Sequence, residues 1–123
     1  MKRGNKTAGL RLRLVLAPDI AIGPGKADLL DGIRDTGSIA AAGRRLGMSY
    51  KRAWLLVETM NRCFRSPLVE ATKGGSKGGG AMLTPLGTEV LARFRKLEAA
   101  AFSAGSVEID ALSALLRDIS EEK

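Results

Sequence analysis

Twenty residues near the middle of the chain restrict its fold more than any others: Ser38 to Val57 read SIAAAGRRLGMSYKRAWLLV. Ser38 is placed to cap a helix over Ile39 to Leu46, and Gly47 stops it. Ser49 can cap a following helix from Tyr50 to about Phe64, whose Ala53, Leu56, Val57, Met60 and Phe64 form one apolar stripe. Ala42 and Gly43 are small where two helices would cross closely, and Gly47 tolerates the positive φ that a tight turn demands. This is the helix-turn-helix pattern, in which the second helix presents its N-terminal residues to a DNA groove. The spacing alone also fits any αα-hairpin of a helical protein. Ser49, Tyr50, Lys51 and Arg52 favour the first reading, because all four can hydrogen-bond to phosphates or base edges.

The remaining elements follow from periodicity. Leu10, Leu12, Leu14 and Leu16 alternate with Arg11, Arg13 and Val15, as in a half-buried strand, and Ile20–Ile22 is its short return. After the turn Gly23-Pro24-Gly25, a helix is predicted from Lys26 to Gly37 with Ala27, Leu29, Leu30 and Ile33 inward. Beyond Pro67, Leu68–Thr72 and Ala81–Thr84 read as strands on either side of a glycine-rich stretch. A long helix should follow Pro85 with Leu86, Val90, Phe94, Leu97 and Ala101 inward. A last short helix should follow Asp110, with Leu112, Leu115, Leu116 and Ile119 inward.

The stretch between the two strands, KGGSKGGG, could be a phosphate loop, a linker or a hairpin tip. A Walker loop needs Gly before its Lys and Ser or Thr after it; Lys73 and Lys77 have neither arrangement. Gly25-Lys26 fails as well, since Ala27 stands at the hydroxyl position and Ile20 at the first glycine. A linker is a poor fit because the segments on both sides are needed for one small core. The order helix-turn-helix, strand, glycine-rich tip, strand, helix is that of a winged helix with the tip as its wing. The expected fold is mainly α with a small β-wing: a winged helix-turn-helix with an N-terminal strand or hairpin. Residues 1–84 would form that unit, and residues 85–123 the helices that complete the core and mediate dimerisation, all within one domain.

Charge is uneven. The chain carries a formal +7, and residues 1–80 hold 15 Lys/Arg against 6 Asp/Glu, while residues 81–123 hold 5 against 7. A polyanion-facing front and a near-neutral rear are the expectation. With no His, no Cys/His cluster, no metal-ligand spacing and carboxylates scattered on charged faces, an enzyme is a poor fit, so no enzyme and no metal site is expected. Cys63 is the only cysteine and reads as a packed small residue. No apolar run reaches membrane-spanning length, and arginines interrupt the apolar residues of the N-terminus, so a reducing cytoplasm and no membrane partner are expected.

The run from Gly23 to Thr88 resembles the DNA-binding domain of the ModE family of molybdate-responsive transcriptional regulators, which are relatives of the LysR-type winged helices. The residues that carry the likeness are GPGKADLLDGI, TGSIAAA, GMSYKRAWLLVETMN and LVEATKGGSKGGGAMLTPLG. The resemblance implies a winged-helix dimer on an operator palindrome near molybdate-transport or molybdenum-enzyme genes. Long-form members continue into molybdate-binding modules where this sequence ends at Ser120-Glu-Glu-Lys123. No cofactor is therefore expected in this chain, molybdate sensing is expected only with such a module, and a small-molecule effector is left open.

Double-stranded DNA is the expected partner. Ser49, Tyr50, Lys51 and Arg52 should contact it from the recognition helix, and Lys73, Ser76 and Lys77 from the wing, while Arg44 and Arg45 could flank its backbone. Trp54 is expected to be partly buried rather than a base reader. A homodimer is expected through Leu91, Phe102, Leu112, Leu115, Leu116 and Ile119, which exceed the apolar surface a core of this size requires. The alternative is an architectural or adaptor protein without ligand sensing of its own.

Overall fold

The computed structural model describes residues 9–72 and 80–117. Its first element is a short antiparallel hairpin, β1 (Leu14–Ala17) and β2 (Ile20–Ile22), with Leu14 opposite Ile22 and Val15 opposite Ala21. The register shifts between Val15 and Ala17. That irregularity breaks the alternation read from the sequence: Leu12 and Leu14 pack against the core, but Val15 and Leu16 are both more than half exposed. A bulge turns one side chain out of the regular alternation, and here it is Leu16.

Helix α1 (Pro24–Thr36) starts two residues before the predicted Lys26, because Pro24 occupies its first position, where a fixed φ and a missing N–H cost nothing. Ala27, Leu29, Leu30 and Ile33 are fully buried, as their spacing requires. Helices α2 (Ile39–Arg45) and α3 (Tyr50–Cys63) follow. Strands β3 (Val69–Thr72) and β4 (Gly80–Leu83) then form a second antiparallel hairpin, with Val69 opposite Leu83 and Thr72 opposite Gly80. Helices α4 (Pro85–Ala104) and α5 (Ser106–Ala114) end the described chain. The architecture is mostly helical with two small two-stranded sheets. Among the described residues no helix is long and apolar enough to cross a membrane.

One hydrophobic cluster joins these elements. It takes Leu29, Leu30 and Ile33 from α1, Ala53, Val57 and Met60 from α3, Val69, Ala81 and Leu83 from the second hairpin, and Leu91 and Phe94 from α4. A two-stranded hairpin is marginal alone in water, so its three buried side chains are what attach it. Polar contacts then set its direction. The Asn61 carboxamide accepts from the backbone N–H groups of Leu68 and Val69 at 2.8 and 3.1 Å and donates to Val69 O at 3.0 Å. Thr84 caps α4 by accepting from Gly87 N–H at 2.9 Å, and its hydroxyl donates to Pro67 O at 2.7 Å. Asn61 and Thr84 thus tie both ends of the hairpin to helices.

Several expectations for the rear of the chain are corrected here. Leu91, predicted on an outer flank and assigned to a dimer interface, is only 3% exposed and belongs to the core. The stripe counted from the sequence gave no weight to Gly87, yet its missing side chain lets α4 lie against the backbone of Leu68, so the buried face runs through Gly87, Leu91 and Phe94. Leu97, predicted inward, is partly exposed instead. At 1.5 Å per residue the 20-residue α4 runs about 30 Å, and none of its residues beyond Phe94 is fully buried. The closing helix starts at Ser106 rather than after Asp110 and buries none of its residues. Leu112, Leu115 and Leu116, predicted inward, are therefore exposed, and Ile119 lies outside the described residues.

An ionic cluster locks α4 to α1. Arg95 donates to Asp28 at 2.7 Å, to Asp31, and to Glu98 at 2.8 Å. Partial burial works to lower the guanidinium pKa, but its hydrogen bonds to Glu98, Asp31 and Asp28 outweigh that and raise it. Charge-assisted bonds of this kind are the stronger ones, so the cluster supplements the apolar contacts between α1 and α4.

Candidate nucleic-acid interface

The region from Ser38 to Cys63 positions the residues singled out in the sequence. Ser38 accepts from Ala41 N–H at 3.0 Å and starts α2. The helix closes at Leu46, and Met48 N–H returns to Gly43 O at 3.0 Å. Gly47 sits at φ 73, the left-handed conformation expected of it. A Cβ on Gly43 would lie 3.0 Å from Cβ of Ala53, so small residues do let α2 and α3 approach. Ser49 then caps α3 by accepting from Arg52 N–H at 3.1 Å. That cap occupies the Ser49 hydroxyl as an acceptor and leaves its proton available to a ligand.

With 100° between successive helix residues, buried Ala53, Val57 and Met60 define the inner face of α3. Lys51, Leu55, Glu58 and Arg62 lie on the opposite face. Arg52 and Thr59 form one flank of it, and Lys51, Arg52, Leu55, Leu56 and Thr59 line one shallow groove. Among the described residues neither Lys51 nor Arg52 has a carboxylate within ion-pair distance, whereas Arg62 reaches Glu58 at 4.0 Å. Tyr50 and Trp54 lie on the other flank, the one from which Asn61 holds β3. Tyr50 is 59% exposed and Trp54 41%, so Trp54, expected to be partly buried, is an exposed aromatic instead.

The other expected contacts divide. Arg44 is exposed beside the turn. Arg45, expected near a DNA backbone, stands 3.6 Å from Asp35 of α1, which draws part of its charge inward. Lys73, Ser76 and Lys77 lie outside the described residues. The strands that carry them end at Thr72 and begin again at Gly80. Cys63 is partly buried at the end of α3. Among the described residues no three His, Cys, Asp or Glu side chains come together to hold a metal ion.

Leu55, Thr59 and Asn61 were not singled out in the sequence. Leu55 and Thr59 were available there, since they fall four and eight residues after Lys51, on the side away from the apolar stripe. Asn61 gave no such signal: its importance lies in contacts to Leu68 and Val69, which only the fold brings to it.

No family model matches the chain. Similarity to individual proteins is nonetheless clear. The chain is 46% identical over 78 residues to the molybdenum-pterin-binding protein MopB of Rhodobacter capsulatus, a match that spans 63% of this chain and 29% of that protein. It is 37% identical over 109 residues to the molybdenum transport protein ModE of Azotobacter vinelandii, spanning 87% of this chain and 39% of its relative. It is also 37% identical over 84 residues to the DNA-binding transcriptional dual regulator ModE of Escherichia coli K12, spanning 68% and 32%. These names describe molybdenum-binding, transport and regulatory proteins, not enzymes. The chain is thus related, over about a third of their length, to proteins named for molybdenum and for transcriptional regulation.

Proposed function

We propose that this chain is the DNA-binding part of a molybdenum-linked transcriptional regulator, with α2 and α3 as a helix-turn-helix, β3 and β4 as a wing, and α3 reading the major groove. The observation that carries the proposal is the outer face of α3, where Lys51 and Arg52 stand exposed beside a tight turn without carboxylate partners among the described residues. Cations on the first turn of a helix that follows such a turn can reach base edges, and arginine or lysine pairs well with guanine there. The relatives named as regulators support the same reading. Lys73, Ser76 and Lys77 would contact phosphates from the wing, and Arg44 would flank the backbone.

Footprinting against random genomic fragments tests the proposal, since a regulator protects a discrete site and an architectural protein does not. Lys51→Ala or Arg52→Ala should weaken binding to the protected site by about 1–3 kcal/mol, with a smaller loss on random DNA. Lys73→Ala and Lys77→Ala should weaken both DNAs about equally. Equal losses on both DNAs for all four variants would remove α3 from the role of reader.

The reading includes a two-fold dimer, formed by the exposed apolar side chains at the rear. Phe102 is 49% exposed, Leu112 64%, Leu115 80% and Leu116 66%, and Ile119 would extend the same surface. Residues 85–117 carry four Lys/Arg and four Asp/Glu, so two copies would meet there without net repulsion. Leu115→Asp should raise the dimer dissociation constant by about 10²-fold or more, since each dimer would bury two unpaired carboxylates. Because Leu115 touches no core, the monomer should keep its melting temperature. Sedimentation at micromolar concentration checks this, and a parent chain that stays monomeric even on DNA would remove the dimer from the proposal.

A further inference from the structure

We infer that Leu55 is a specificity-determining residue that reads the 5-methyl group of a thymine in the major groove. This rests on the proposed DNA-binding role of α3 and goes beyond it by assigning a base chemistry to a particular side chain. Leu55 is 48% exposed, and it lies one turn after Lys51 on the face opposite the buried Ala53, Val57 and Met60. A lone exposed leucine needs no explanation in general. This one lies in a shallow groove whose other walls are Lys51, Arg52, Leu56 and Thr59.

The surrounding charge names the occupant. Lys51 and Arg52 flank the groove on its N-terminal side without carboxylate partners among the described residues. Glu58, the carboxylate on this face, is near Arg62 at 4.0 Å, so its charge is offset. A polyanion seated on Lys51 and Arg52 brings its groove floor over Leu55. A leucine side chain has no hydrogen-bonding group, so it can distinguish bases only by apolar contact. The major groove offers one apolar group among the unmodified bases, the methyl of thymine. The Thr59 hydroxyl donates to Leu55 O at 2.9 Å and so can only accept from a ligand, and Leu55 is the most exposed apolar side chain of the groove.

Deoxyuridine keeps every hydrogen-bonding group of thymine and lacks only the methyl, so it isolates this contact. On the footprinted fragment, each thymine is replaced singly by deoxyuridine and affinity is measured for the parent chain, Leu55→Ala and Lys51→Ala. At one thymine per half-site, the parent should lose about fourfold in affinity, the value of one buried methyl group. Leu55→Ala should show no loss at that position, while Lys51→Ala, though weaker, should keep it. Leu55→Ala should retain the parent's melting temperature, which separates a reading role from a folding one. If no thymine is sensitive, or if the sensitivity survives in Leu55→Ala, the assignment is overturned while DNA binding by α3 stands. If no discrete site is protected at all, both the assignment and the proposed function fall.

Discussion

Gly87→Ala is expected to cost this fold about 3 kcal/mol or more, enough to lower the melting temperature of a domain this size by roughly 15 °C. A Cβ at position 87 would fall 2.1 Å from the carbonyl oxygen of Leu68 and 2.9 Å from its carbonyl carbon. Both are backbone atoms, so no side-chain rotation relieves the clash. Leu68 is fully buried, and its carbonyl already accepts from Thr84 N–H at 2.9 Å. Moving α4 away would break that bond, loosen the Thr84 cap and withdraw Leu91 and Phe94 from the core. Gly25→Ala is the matched control. It also lies in the first turn of a helix that begins with proline, but a Cβ there meets nothing within 4 Å. It should be neutral or stabilising by a few tenths of a kcal/mol, because alanine loses less backbone freedom on folding. Thermal unfolding followed by circular dichroism compares the two, and a Gly87→Ala melting temperature within a degree of the parent would refute the close approach of α4 to Leu68.

The second large effect concerns salt. If Arg44, Arg45, Lys73 and Lys77 supply about four phosphate contacts, affinity for DNA should fall by roughly 10²-fold between 50 and 200 mM monovalent salt. The motivation is the charge balance of residues 44–77, eight Lys/Arg against two Glu. Each cation removed should flatten the log–log slope by about 0.9. Arg45 is the instructive exception: with Asp35 at 3.6 Å it already has a counter-ion, so Arg45→Ala should change the slope less than Arg44→Ala. Fluorescence anisotropy across a salt series reads both numbers. A slope near zero would show that the basic front does not meet a polyanion.

These expectations draw on two kinds of information. Element order and most boundaries were legible in the chain, because they depend on local chemistry. Ser38 and Ser49 cap their helices through their own hydroxyls, Gly47 adopts the left-handed conformation of its turn, and the spacing of Ala27, Leu29, Leu30 and Ile33 specifies the buried face of α1. The exposed cations at the start of α3 follow from the same periodicity. Such features need only the residues within a turn or two of one another.

What tertiary structure alone decided involves contacts between distant segments. Leu91 reads as a second apolar flank until α4 is seated on Leu68 through Gly87, which buries it. Leu112, Leu115 and Leu116 have the composition of core residues, yet the core is already filled by nearer elements before α5 begins, and they remain outside it. Asn61 looks like any polar helix residue, but the fold delivers two backbone N–H groups and a carbonyl to its carboxamide. Periodicity ranks the faces of a helix by polarity. It carries no information on which neighbour reaches a face first, or on how far along the helix that neighbour extends, because both depend on packing between segments tens of residues apart.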